Sequence, residues 1–137
     1  MALSPSVFVL TGLIAWTLVL LVLMEGLRVR LVARGHVAAN AFTPDNRGLS
    51  PFMQRLARAH ANCIEGLPVF GGLLVVAILT QRTGVTDALA PWLLIARIVQ
   101  SSVHLVSTSI VAVNLRFAAF LAQLAIAVFW TILLLTP

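Results

Sequence analysis

Charge is scarce in this chain: 9% of its 137 residues are charged and 61% are hydrophobic, where a soluble domain typically carries about 25% charged residues. So small a complement cannot cover a water-facing surface. That excludes an ordinary soluble domain and points to an integral membrane protein in contact with lipid. Lysine is missing altogether, so the formal charge of +5 is entirely arginine. With no soluble domain to carry a basic face, nucleic acid is excluded as a partner, and the arginines are read as cytoplasmic connector charge. The single cysteine, Cys63, excludes an intrachain disulfide and a cysteine-rich metal site. No His/Cys/Asp/Glu spacing suits a metal, and no glycine-rich phosphate loop is present. Repeats, linkers and low-complexity segments are lacking as well. The first apolar run is not followed by a small-residue cleavage signal, so it is read as a retained span.

What is present is four apolar runs, read as four transmembrane helices over residues 6–28, 58–80, 88–108 and 113–135 of a single all-α domain spanning 1–137. The first run is uncharged until Glu25. A connector follows that carries arginines and the one long stretch rich in turn formers, residues 40–50. Ser50 and Pro51 suit an N-cap and first helical position. The next clear break is Gly84, so the second helix runs about 30 residues, roughly 45 Å. Its purely apolar part, residues 66–80, is too short to cross about 30 Å of hydrocarbon alone. Reaching the required length pulls Asn62 and Glu65 below the headgroups. Thr86 and Asp87 are expected to cap a third helix starting near Ala88, with Trp92 anchoring it at the interface. The break before helix four falls at Ser107–Ser109 or at Asn114, and no Gly or Pro decides between them. Arginine counting puts connectors one and three on the cytoplasmic side and both termini opposite.

Three helices then show one polar seam each. Arg58, Asn62 and Glu65 stand at i, i+4 and i+7 on helix two, within about 60° of arc, and His60 points nearly opposite. Helix three carries Arg97, Ser101, His104 and Thr108. Helix four carries Arg116, Phe120 and Gln123. Lipid contact would be costly for such groups, so the seams face protein or a wet cavity. Glu65 and Arg97 would neutralise each other between helices, or line a binding site, and both readings can hold. Several arginines against one buried carboxylate leave excess positive charge that favours an anionic ligand. Cys63 reads as a small inert apolar residue, and Gly71 with Gly72 as a point of close helix packing.

The run Arg58-Ala59-His60-x-Asn62-x-x-Glu65-x-x-Pro68-x-Phe70 resembles the second-helix motif of the MAPEG family, the membrane-associated proteins of eicosanoid and glutathione metabolism. The length, the four spans, the basic first connector, Arg97 and Arg116 agree with it, so the resemblance covers essentially the whole chain. It implies a short, bacterial-type member in the inner membrane, assembled as a homotrimer with glutathione bound between subunits near the cytoplasmic face. By that match Arg28, Arg58, Asn62, Glu65 and Arg97 would contact glutathione. Glu65 would receive its amino group, and Arg58 and Arg28 its carboxylates. Arg116 would stabilise the thiolate, although its spacing from Arg97 is a few residues longer than the family's. Relatives use tyrosines on helix three, and this chain has none. His104 stands in the expected place and would replace the hydroxyl as donor, or activity is lost. Ala61 takes a position that is arginine in some relatives.

The chemistry is sound on its own terms. The thiolate is the nucleophile, and a guanidinium in a partly desolvated seam lowers a thiol pKa by about 1–3 units. The reaction expected is transfer to an apolar electrophile, or reduction of a lipid hydroperoxide, delivered from the bilayer. Two rival readings remain at this stage: a small four-helix transporter using Glu65, and a catalytically silent membrane scaffold.

Overall fold

In the computed structural model, which describes residues 3–136, four helices run through the chain in order: α1 Pro5–Ala33, α2 Pro51–Leu79, α3 Ala90–Val106 and α4 Ile110–Leu135. A one-turn 3-10 helix, Thr83–Val85, lies between α2 and α3. The fold is all-α, with no strand among the described residues. α1, α2 and α4 are long and apolar enough to cross a membrane, whereas α3 is a shorter apolar helix.

Local chemistry explains most of the boundaries. Ser4 and Ser50 each accept a hydrogen bond from the backbone N–H three residues on, and each precedes a proline at the first helical position. Ser109 caps α4 in the same way, accepting from Ala112 N–H at 3.2 Å. The third break therefore falls at Ser107–Ser109, and Asn114 lies inside α4. α1 ends on Gly35 at φ +70°, with the N–H of Gly35 bonded to the Val32 carbonyl and that of His36 to Leu31. This is the pair of hydrogen bonds of a Schellman ending. α2 ends with the same pair of bonds, from Gln81 to Ile78 and from Arg82 to Ala77, but its left-handed residue is Gln81 at φ +57°.

Thr86 and Asp87 do not cap α3, contrary to expectation. The helix starts at Ala90, after Leu89, with no side-chain cap. Both residues are engaged instead by Ser6, whose hydroxyl lies 2.6 Å from Thr86 Oγ1 and donates to Asp87 Oδ1 at 2.6 Å. They tether the start of α1 to the second connector. The opposite ends are tied as well, since Arg55 Nε donates to the Leu105 carbonyl and joins the start of α2 to the end of α3. Arg82 clamps the end of α4 through the carbonyls of Leu133 and Leu134. The topology is thus up-down-up-down, with the start of α1, the end of α4 and the second connector at one end and connectors one and three at the other.

Two apolar clusters hold the bundle. Val9, Leu13, Phe70, Leu74, Leu93 and Trp130 pack near the terminal end, joining all four helices. Leu20, Met24, Leu56, Ala57, Ala59 and Cys63 pack between α1 and α2. The outward faces remain strongly apolar: Phe117, Leu121, Val128, Phe129 and Ile132 of α4 are all exposed, as are Trp92 and Ile95 of α3. Water would not tolerate so continuous a surface, and lipid does. This is an integral membrane helical bundle.

Candidate functional site

One cleft collects the polar seam of α2. It has a volume of about 440 Å³ and is bordered by Arg58, Asn62, Glu65, Gly66 and Phe70 of α2, Arg97 and Gln100 of α3, and Phe120 and Leu124 of α4. That lies within the roughly 300–1,000 Å³ typical of small-molecule sites. The cleft exists because α4 packs chiefly on α3 and only lightly on α2, leaving a gap floored by α3.

Arg97 forms the floor. It is 4% exposed, yet no carboxylate pairs with it among the described residues. Nη1 donates to the Asn62 carbonyl at 3.1 Å, and the guanidinium lies 5.1 Å from the centroid of the Phe70 ring. A carbonyl and a π-face moderate a cation without neutralising it. Gly66 makes this placement possible: a Cβ there would sit 2.5 Å from Arg97 Nη2 and 3.0 Å from Phe70 Cε2. The sequence motif includes no explanation for that glycine, because its reason is a side chain 31 positions further on.

Glu65 and Arg97 do not pair with each other. Glu65 points along its own helix to Arg58, at 3.7 Å, and both side chains are 63% exposed. The cleft therefore holds two guanidinium groups against one carboxylate. Gln100 adds an amide whose oxygen accepts from Gln123 Nε2 at 3.0 Å. This leaves its own Nε2 free to donate into the cleft. Gln123 is fully buried and also donates to the Ala119 carbonyl, so it fixes Gln100 without reaching the cleft itself.

The remaining candidates lie elsewhere. Arg28 borders a second cavity, of about 550 Å³, with Phe42, Thr43, His60 and Glu65. Glu65 is thus the ridge between the two cavities. All of Arg28's donor nitrogens are engaged: Nε and Nη2 with Asn46 Oδ1, Nη2 also with the Thr43 carbonyl, and Nη1 with Glu25. Asn46, fully buried, passes the link on by donating to the Met53 carbonyl at 2.9 Å. Arg28 is therefore the staple that holds the first connector to α1. His104 and Arg116 are brought together, Arg116 Nη1 contacting His104 Nδ1. Neither borders the cleft, but Arg116 stands one turn from Phe120 on α4, towards the third connector. Thr108 falls outside α3, in that connector. Cys63 is buried against the Ser101 hydroxyl at 3.5 Å, behind Arg97. Of the two adjacent glycines, a Cβ on Gly71 would meet Leu67 and Leu10, whereas Gly72 is open.

Gly66, Gln100, Val69 and Leu124 were not singled out as site residues from the sequence. Gln100 carried the available signal, a polar residue within an apolar helix.

A family model described as the MAPEG family matches residues 6–136 of the chain. Neither a curated protein nor a solved structure matches it.

Proposed function

The chain belongs to the MAPEG family, and on that premise we propose that it is a membrane glutathione-dependent transferase or peroxidase acting on apolar electrophiles or lipid hydroperoxides. The family as a whole is one of membrane glutathione-related transferases and peroxidases. The particular activity is read from the cleft. The observation that supports it most is Arg97, a buried guanidinium without a carboxylate, facing a gap whose rim carries Arg58 and Glu65.

That donor set complements a zwitterionic peptide with two carboxylates and one amino group. Arg97 and Arg58 offer charge-assisted bonds to carboxylates, and Glu65 accepts from the ammonium. Asn62 and Gln100 suit peptide amides. When glutathione binds here, it brings the thiol, and the protein's part is to favour the thiolate. Arg116, one turn from Phe120 of the cleft and in contact with His104, is the guanidinium assigned to that role, because a guanidinium in a partly desolvated setting favours the anion. Attack by the thiolate forms a carbon–sulfur bond as the leaving group departs with its electron pair. The apolar wall of Val69, Phe120 and Leu124 faces the side from which a lipid-soluble acceptor would come.

The assembly proposed is a homotrimer in a bacterial inner membrane, with connectors one and three cytoplasmic. The test is calorimetry of the detergent-solubilised protein with glutathione, set against Arg58→Ala. Hydrogen bonds to charged groups contribute about 1.5–3 kcal/mol, so the variant should bind about ten- to a hundredfold more weakly. Equal binding by both proteins, or none by either, would refute the assignment. Glu65→Gln separates the transporter reading: here it weakens thiol binding, whereas in an exporter it abolishes movement of a substrate across vesicles.

A further inference from the structure

A cavity of about 300 Å³ sits where α1 ends and α2 begins, away from the thiol cleft. Leu27, Arg30, Leu31 and Arg34 border it from α1; their spacing, i, i+3, i+4 and i+7, is one face of a helix. The left-handed turn at Gly35 then brings His36 back to the same cavity. Phe52 and Met53 close the far side from the first turn of α2, whose end carries the partial positive charge of a helix N-terminus.

The charge here is of one sign. No acidic residue borders the cavity, and neither Arg30 nor Arg34 joins an ion pair among the described residues. Their neighbours differ: Arg28 is held by Glu25, and Arg47 by Asp45. Charge that served only to orient the chain would need a count and no placement. These two arginines are instead one turn apart, above an apolar wall.

Depth decides the occupant. α1 has 29 residues, and about 20 suffice to cross the hydrocarbon, so its last turns reach the headgroup layer with Leu27 nearest the acyl chains. We infer that this cavity holds an anionic phospholipid, its phosphate between Arg30 and Arg34 and its upper acyl chain along Leu27 and Phe52. Clustered arginine at the membrane surface attracts anionic lipid, and the apolar wall selects a lipid over a free anion.

The experiment reconstitutes the full chain in zwitterionic vesicles and measures immobilisation of spin-labelled phosphatidylglycerol against spin-labelled phosphatidylcholine. The wild-type protein should prefer phosphatidylglycerol by about five- to thirtyfold. Arg30→Gln with Arg34→Gln should remove the preference without altering helical content, since both side chains are exposed and unpaired. Arg47→Gln, which removes another exposed arginine, one in the first connector, should retain it. High salt should reduce the preference of the wild-type protein. The inference is overturned if the wild type shows no preference, if the double variant keeps it, or if Arg47→Gln abolishes it equally. Displacement by millimolar inorganic phosphate would also overturn it, in favour of a free-anion site. Glutathione titration is a separate readout, because the two cavities share no residue.

Discussion

Gly66→Ala tests the arrangement on which the cleft depends. The added methyl would lie 2.5 Å from Arg97 Nη2 and 3.0–3.1 Å from the Phe70 ring, so the tip of this flexible side chain must shift. A shift that carries the whole head away loses the Nη1 bond to the Asn62 carbonyl, about 1.5–3 kcal/mol for a charged donor. Such a displacement also breaks the stack on Phe70, about 2 kcal/mol for a desolvated pair such as this buried one. Some of that loss returns as the displaced head is solvated in the open cleft. Against it stands the gain of replacing glycine in a helix, about 1 kcal/mol, which would mask the effect in a single comparison. Gly72→Ala in the same helix isolates it, because nothing lies within 4 Å of a Cβ there and the propensity gain is the same. Gly66→Ala should therefore be less stable than Gly72→Ala, by up to about 2 kcal/mol, in denaturant or thermal unfolding followed by circular dichroism. It should also bind glutathione more weakly, since Arg97 is no longer held at the floor. Two variants of equal stability and equal affinity would refute the claim that Gly66 exists to seat Arg97.

Other consequences follow from the ends of the helices. Gln81 holds φ +57° at the close of α2, a conformation that costs a non-glycine residue about 1 kcal/mol, so Gln81→Gly should raise the unfolding free energy by about that amount. Arg82→Ala removes two charge-assisted bonds to Leu133 and Leu134; faster amide exchange is expected in the second connector and the last turn of α4, with α1 unaffected, and uniform exchange would contradict the clamp. In the first connector the Thr43 hydroxyl, at 2.6 Å, and the Arg47 N–H hold the Asp45 carboxyl below its ordinary range. A depressed folded value means that this carboxylate favours folding above its unfolded pKa and loses that effect as pH falls through the folded one. Thr43→Val should therefore raise the Asp45 titration in a carbon-detected NMR series and flatten the acid dependence of the connector.

Composition was enough to show the four helices, because a deficit of charge and four apolar runs leave few alternatives. Ser50 with Pro51 marked the start of α2, and the i, i+4, i+7 spacing put Arg58, Asn62 and Glu65 on one face, where the cleft gathers them. What escaped depended on partners distant in the chain. Thr86 and Asp87 have the chemistry of a cap, and only the arrival of Ser6, about 80 residues away, diverts them. On facing helical wheels Glu65 and Arg97 read either as partners or as the lining of a site. In three dimensions Arg97 reaches the backbone and a ring first, and Glu65 turns to Arg58. For Arg28 only Glu25, one turn back on the same helix, is a local partner; nothing nearby in the sequence shows that Asn46 and Thr43 will occupy it too.

The depth and exposure of the α2 seam bear on assembly. Glu65 lies midway along a helix of 29 residues, and in a single chain it and Arg58 are each 63% exposed. A charged side chain at the bilayer centre costs about 2.5–3.5 kcal/mol even on the lenient insertion scales, and Glu65, below the headgroups but short of that depth, bears part of that cost. Pairing at 3.7 Å does not cancel that, since desolvating two charges outweighs their attraction unless further hydrogen bonds complete both groups. Burying both charges against lipid would thus cost more than their mutual attraction returns. The cost disappears if the open side of the cleft faces a neighbouring subunit and a polar ligand. The homotrimer proposed above supplies that cover, and it makes the site and the assembly one physical problem: a variant that empties the cleft of charge, such as Arg58→Ala combined with Glu65→Ala, should lose glutathione affinity while leaving each helix content to cross the membrane.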